Sequence, residues 1–65
     1  MLVGSMVLGT TNHPDDYRKS NIEIKGIIIK MSGSQCRVHV FELDGKPTDR
    51  IMFMHTTGIQ RVLSR

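Results

Sequence analysis

Residues 22–54, IEIKGIIIKMSGSQCRVHVFELDGKPTDRIMFM, carry the pattern that decides the fold. They predict three antiparallel strands, Ile22–Met31, Cys36–Leu43 and Arg50–Met54, joined by Ser32-Gly33-Ser34-Gln35 and Asp44-Gly45-Lys46-Pro47. The second strand alternates, with Val38 and Val40 on one side and Arg37, His39 and Phe41 on the other, as a half-buried strand does. The third strand repeats the alternation. Matching inward residues across the pair sets Val40 opposite Ile51 and Val38 opposite Phe53, and turns Arg50, Met52 and Met54 outward. That register makes Asp44–Pro47 a four-residue loop. A two-residue Asp44-Gly45 turn would set inward Val40 against Asp49, so it is not adopted.

For the first two strands the same matching pairs Ile29 with Val38 and Ile27 with Val40, leaving Gly33 free to take positive φ in its loop. Ile22 and Ile24 then have the opposite parity to Ile27, Ile29 and Met31. One extra residue at Gly26 restores a single buried face, so a bulge or bend is expected there.

Outside this centre, Met1–Thr11 reads as a first strand with Met6 and Leu8 inward. Thr11–Asn21 is a long polar loop carrying Pro14, Asp15 and Asp16. Thr56-Thr57-Gly58 reads as a short 3₁₀ turn, and Ile59–Leu63 as a brief closing strand. With 65 residues the chain is expected to form one domain, residues 1–65, whose core supports a net stability of roughly 3–5 kcal/mol. The expected fold class is all-β, about five antiparallel strands in a small barrel.

The order of elements resembles the SH3-like small barrels, the KOW and Tudor-like domains in particular. The resemblance is one of pattern and lies in Gly4-Ser5-Met6-Val7, in Lys25-Gly26-Ile27-Ile28-Ile29 and in Gly58-Ile59-Gln60-Arg61-Val62. The polar insertion after the first strand departs from the compact KOW loop. Domains of this kind serve RNA binding, RNA-polymerase association, ribosomes or protein recognition, and the resemblance implies one of these roles without choosing among them.

Nine basic and six acidic residues give a net charge of +3, a mildly basic balance compatible with an acidic or nucleic-acid partner. The single cysteine excludes an internal disulfide, and no signal peptide or membrane-spanning run is evident, so the cytoplasm is the expected compartment. Catalysis is not expected. Cys36 and His55 fall opposite each other in the adopted register, but no third residue orients them; a buried thiol and a capping histidine are the ordinary reading. Cys36 and His39 point to opposite faces and His13 is isolated in the loop, so no metal site assembles. No cofactor is expected either. Asp15, Asp16, Asp44 and Asp49 are accounted for by turns.

The candidate binding surface is the outer face of the central sheet: Ile28, Lys30, Arg37, His39, Phe41, Arg50, Met52 and Met54. Apolar side chains beside fixed positive charge, with no acid among them, suit single-stranded nucleic acid or a protein. Arg18, Lys19, Arg61 and Arg65 add basic groups outside it. The expected function is that of an accessory or regulatory factor acting on nucleic acid or on RNA-polymerase or ribosome-type machinery. The rival expectation is a protein-interaction module, an inhibitor or adaptor of the kind phages encode, that binds no nucleic acid. A third is homodimerisation through the Met-rich face. Against all three stands the reading in which the 11–21 loop, or a second copy, covers the face and makes it core.

Overall fold

The computed structural model describes residues 2–64; the basic group expected at Arg65 and the first residue of the Met1–Thr11 stretch lie outside them. Five antiparallel strands form one sheet: β1 (Met6–Thr11), β2 (Ile22–Ser32), β3 (Gln35–Leu43), β4 (Lys46–His55) and β5 (Ile59–Ser64), in the order β4-β3-β2-β1-β5. A 3₁₀ turn, Thr56–Gly58, precedes β5. All-β architecture, the two central hairpins and the turn before the last strand are as expected. Among the described residues no helix is long and apolar enough to cross a membrane.

Register is where the structure departs from the expectation, and Asp44-Gly45 shows why. Leu43 pairs with Lys46, so these two residues form a tight turn, with φ of 52° at Asp44 and 79° at Gly45. Two successive positive φ values define the type I′ hairpin turn, whose twist matches that of the strands it joins. The objection to this turn is met by a bulge. Between Glu42 and Val40 lies one residue, Phe41, whereas their partners on β4, Pro47 and Arg50, are separated by two, Thr48 and Asp49; this extra β4 residue sets Val40 opposite Arg50 instead of Asp49. Beyond the bulge Val38 faces Met52 and Cys36 faces Met54.

The side chains of β4 therefore sit on the opposite faces to those expected. Met54 is buried and Met52 packs on the core, while Ile51 and Phe53 turn outward at 58% and 71% exposure. Ile51-Met52-Phe53-Met54 is apolar at every position, so hydrophobicity alone gives the two phases equal weight. The bulge decides between them.

A similar correction applies to β2. The ladder does shift at Gly26, but the extra residue is Phe41 across the strand pair, and Ile22, Ile24, Gly26 and Ile28 keep one inward parity. The parity changes at Ile29, which is skipped between Ile28 and Lys30. Ile28 is fully buried against Val38, whereas Ile27 and Ile29 are partly exposed. Gly26 sets this phase because no side chain fits there: a Cβ would lie 2.5 Å from Val38 Cγ1 and 2.6 Å from the His39 carbonyl oxygen. In the other hairpin Ser32 pairs with Gln35, and Gly33 takes the expected positive φ, 61°.

In β1 it is Val7 and Gly9 that face the core, not Met6 and Leu8, which are half-buried. A Cβ on Gly9 would meet the Gly58 carbonyl oxygen at 2.9 Å and Met54 Cε at 3.0 Å. The end of β4 thus curls over to the β1–β5 side, and Met54 fills the space that two glycines leave. Val7, Ile24, Ile28, Val38 and Val40 form the fully buried centre. The β1–β2 ladder extends past Met6, with Gly4 N–H donating to the Ile28 carbonyl at 2.7 Å and Ile28 N–H to that of Ser5 at 3.0 Å.

Candidate binding face

Two rows of side chains cross the outer face of β2, β3 and β4. Lys30, Arg37 and Phe53 are successive register partners in one row, and Ile27, His39 and Ile51 in the next. Arg37 and His39 are two residues apart on β3, so the rows lie about 7 Å apart. Arg37 places its guanidinium carbon 4.8 Å from the centroid of the Phe53 ring. This is a cation–π contact. A concavity of about 230 Å³ opens among Lys30, Ser32, Gln35, Arg37 and Phe53. A broader one, about 440 Å³, lies beside it among Ile29, His39, Asp49, Arg50 and Ile51.

Four of the eight sequence-predicted residues therefore share this face as expected: Lys30, Arg37, His39 and, at the bulge, Phe41. The other four do not. Ile28 and Met54 are buried and Met52 packs against the core, so the face is not Met-rich. Arg50 pairs with inward Val40 at the lip of the sheet and donates to Asp15 from Nη1 at 2.9 Å and Nη2 at 3.4 Å. The expected absence of acids also needs correction, because His39 Nε2–H donates to Asp49 at the edge of the face. Sequence reading missed Ile27, Ile29, Ile51 and Phe53. The missing signal was the bulge: the type I′ turn by itself would set inward Val40 against Asp49 and keep Ile51 and Phe53 inward, and the extra β4 residue turns them outward.

The long loop does not lie over this face. It turns back on itself, His13 N–H donating to the Lys19 carbonyl at 3.0 Å, and meets the β3–β4 turn at one end of the sheet. Asp15 fastens it there. The Arg50 guanidinium, chiefly by hydrogen bonding, holds the Asp15 carboxyl below the usual carboxylate range. A lowered folded pKa means that the contact contributes fully above the unfolded value, about 3.9, and is lost as pH falls through the folded one. The loop should accordingly stay fastened at neutral pH and loosen only in acid. Arg50→Gln should return the Asp15 pKa upward toward the ordinary value, with little change in global stability because the pair is exposed. A carboxyl-carbon NMR titration of both proteins checks this; an unchanged Asp15 pKa would rule out the contact.

Cys36 and His55 do not meet. Cys36 is buried opposite Met54, and its Sγ–H donates to the Met54 carbonyl at 3.5 Å; burial pushes the thiol pKa up, away from reactivity. His55 Nδ1 accepts from Thr57 N–H at 3.2 Å, capping the 3₁₀ turn. Both residues thus take their ordinary structural roles. Among the described residues no cluster of three histidine, cysteine or acidic side chains is placed to hold a metal ion.

No protein-family model, curated protein or solved structure matches this chain. The reading of its function accordingly rests on the face itself. The face is chiefly aliphatic, with Ile27, Ile29 and Ile51 contiguous and two aromatic rings, Phe41 and Phe53, at its margins. Among the described residues, its cations without an acidic partner are Lys30 and Arg37, since Arg50 is held by Asp15. Its outermost strand, β4, is an edge strand in the sheet order.

Proposed function

We propose that this chain is a non-enzymatic binding module, a curled SH3-like small barrel whose outer β2–β3–β4 face docks on a protein partner as an accessory or regulatory factor. The observation that carries the reading is the exposure of Ile27, Ile51 and Phe53 in two adjacent rows, with Ile29 exposed at the bulge between them. Isolated exposed apolar residues are ordinary, but a contiguous group with a cation-capped aromatic at its margin has the composition of an interface core. The open shape of the face and the burial of the one thiol favour recognition over chemistry.

A second reading has one observation in its favour. Arg37 stacked on Phe53 beside Lys30 is the combination with which single-stranded nucleic acid is held, a base platform beside phosphate contacts. Ionic strength separates the two readings. A phosphate-led complex weakens steeply between roughly 50 mM and 200 mM salt as counterions are released, whereas an apolar protein interface changes little. The test is to recover a partner on immobilised protein from extract of its own source, with and without nuclease, and to repeat it with Ile51→Asp. The expected result is a nuclease-resistant, salt-tolerant protein whose binding falls about 30-fold or more in the variant, the effect of a central interface residue. Undiminished binding by a folded Ile51→Asp protein would dismiss the face. Loss of everything on nuclease treatment would transfer the function to nucleic acid.

A further inference from the structure

Most of the charges around the sheet are matched. Arg18 pairs with Asp16, Lys25 with Glu42, Arg50 with Asp15 and His39 with Asp49. Lys30 and Arg37 are the exceptions on the outer face: neither has an acidic partner among the described residues, and none of the residues around their concavity is an acid. Arg37 Nε is, in addition, buried without a hydrogen-bond acceptor. A buried N–H without an acceptor is unfavourable, and an arginine fork is shaped to take a carboxylate. Positive charge, an unmet donor and a concave surface coincide in one place.

We infer that the concavity of Lys30, Arg37 and Phe53 is an anchor for the carboxylate of a Glu or Asp side chain on an extended partner segment. The aliphatic side chain two residues away on that segment enters the neighbouring concavity of Ile29, His39 and Ile51. The inference rests on the protein-docking reading and specifies what the partner presents. The spacing supports it, because side chains i and i+2 of an extended chain lie on one face about 7 Å apart, the interval between the Arg37 and His39 rows. The second concavity has isoleucine walls and carries Asp49, whose charge would repel a following phosphate. A carboxylate with an aliphatic neighbour fits both concavities, and a polyphosphate backbone fits only the first. The largely exposed Phe53 ring stacks on the Arg37 guanidinium at the side of this concavity.

The probe is a blocked peptide, acetyl-Ala-Glu-Ala-Leu-Ala-amide, titrated into isotope-labelled protein with the Arg37 Nε–H and isoleucine methyl signals followed by NMR. The expected result is a shift of the Arg37 Nε–H together with the Ile29 and Ile51 methyls. Gln in place of the peptide Glu should weaken binding about tenfold, and Arg37→Gln in the protein should abolish the preference for Glu. Equal binding of the Glu and Gln peptides, with the methyl shifts retained, would overturn the carboxylate anchor while leaving the docking face standing. An Arg37 shift that acetate alone reproduces, without methyl shifts, would overturn the paired sites. Larger shifts from a short oligothymidylate than from the peptide would overturn both the anchor and the protein reading. Absence of any peptide shift in a protein whose Ile51→Asp variant has lost its partner would overturn only the extended acidic segment.

Discussion

Gly26→Ala is expected to destabilise the chain by about 3 kcal/mol or more, at the upper end of what overpacking a core costs. The added methyl would lie 2.5 Å from Val38 Cγ1, 2.6 Å from the His39 carbonyl oxygen and 3.1 Å from its carbon. A flexible side chain would swing away from such a contact, but two of these three atoms are backbone. Relief then requires β2 and β3 to separate where Gly26 pairs with Val40, the position beside the Phe41 bulge. With a total stability of roughly 3–5 kcal/mol for a chain of this size, the variant should be largely unfolded at 25 °C. Circular dichroism together with urea titration measures this. A Gly26→Ala protein with wild-type stability would mean that the two strands do not approach as closely as described.

Ile28→Ala and Ile29→Ala form the second test, and the contrast between them is its point. Ile28 is fully buried against Val38, so truncation should cost about 2–5 kcal/mol, the transfer term plus the cavity left behind. Ile29 is 40% exposed and lies outside the core cluster, and its truncation should cost well under about 1 kcal/mol. The two substitutions are chemically identical and adjacent in sequence. Only the strand phase separates them. Matched urea denaturations give the difference directly, and the reverse order of cost would reinstate the register in which Ile29 faces Val38. The functional consequences should also be reversed: Ile29→Ala leaves a folded protein with a weakened apolar concavity, while Ile28→Ala removes the scaffold.

Much of the architecture was legible because its causes are local. The alternation from Arg37 to Phe41 marks a half-buried strand by itself, and turn-forming residues mark both hairpin connections, within Ser32–Gln35 and Asp44–Pro47, though not their two-residue length. The polar residues after Thr11 cannot supply an apolar strand face, and they form the long loop. His55 caps the following turn through atoms two residues away. Each of these features depends on side chains within a few positions of one another, so the amino-acid order alone determined strand number, loop placement and all-β class.

Which side of each strand faces the core depended on contacts between distant residues. Ile27-Ile28-Ile29 and Ile51-Met52-Phe53-Met54 are apolar in both phases, and burying either set removes similar apolar area from water. The choice fell to shape. Gly26 must face Val38 because nothing larger fits, Gly9 and Gly58 leave room that Met54 fills, and the extra β4 residue opposite Phe41 reconciles a type I′ turn with inward Val40. Those three contacts turned Ile51 and Phe53 outward and Ile28, Met52 and Met54 inward, and so determined which half of the candidate binding face remained on the surface. Local chemistry specified the strands; close packing between them, which discriminates volumes that hydrophobicity treats as equal, specified the face.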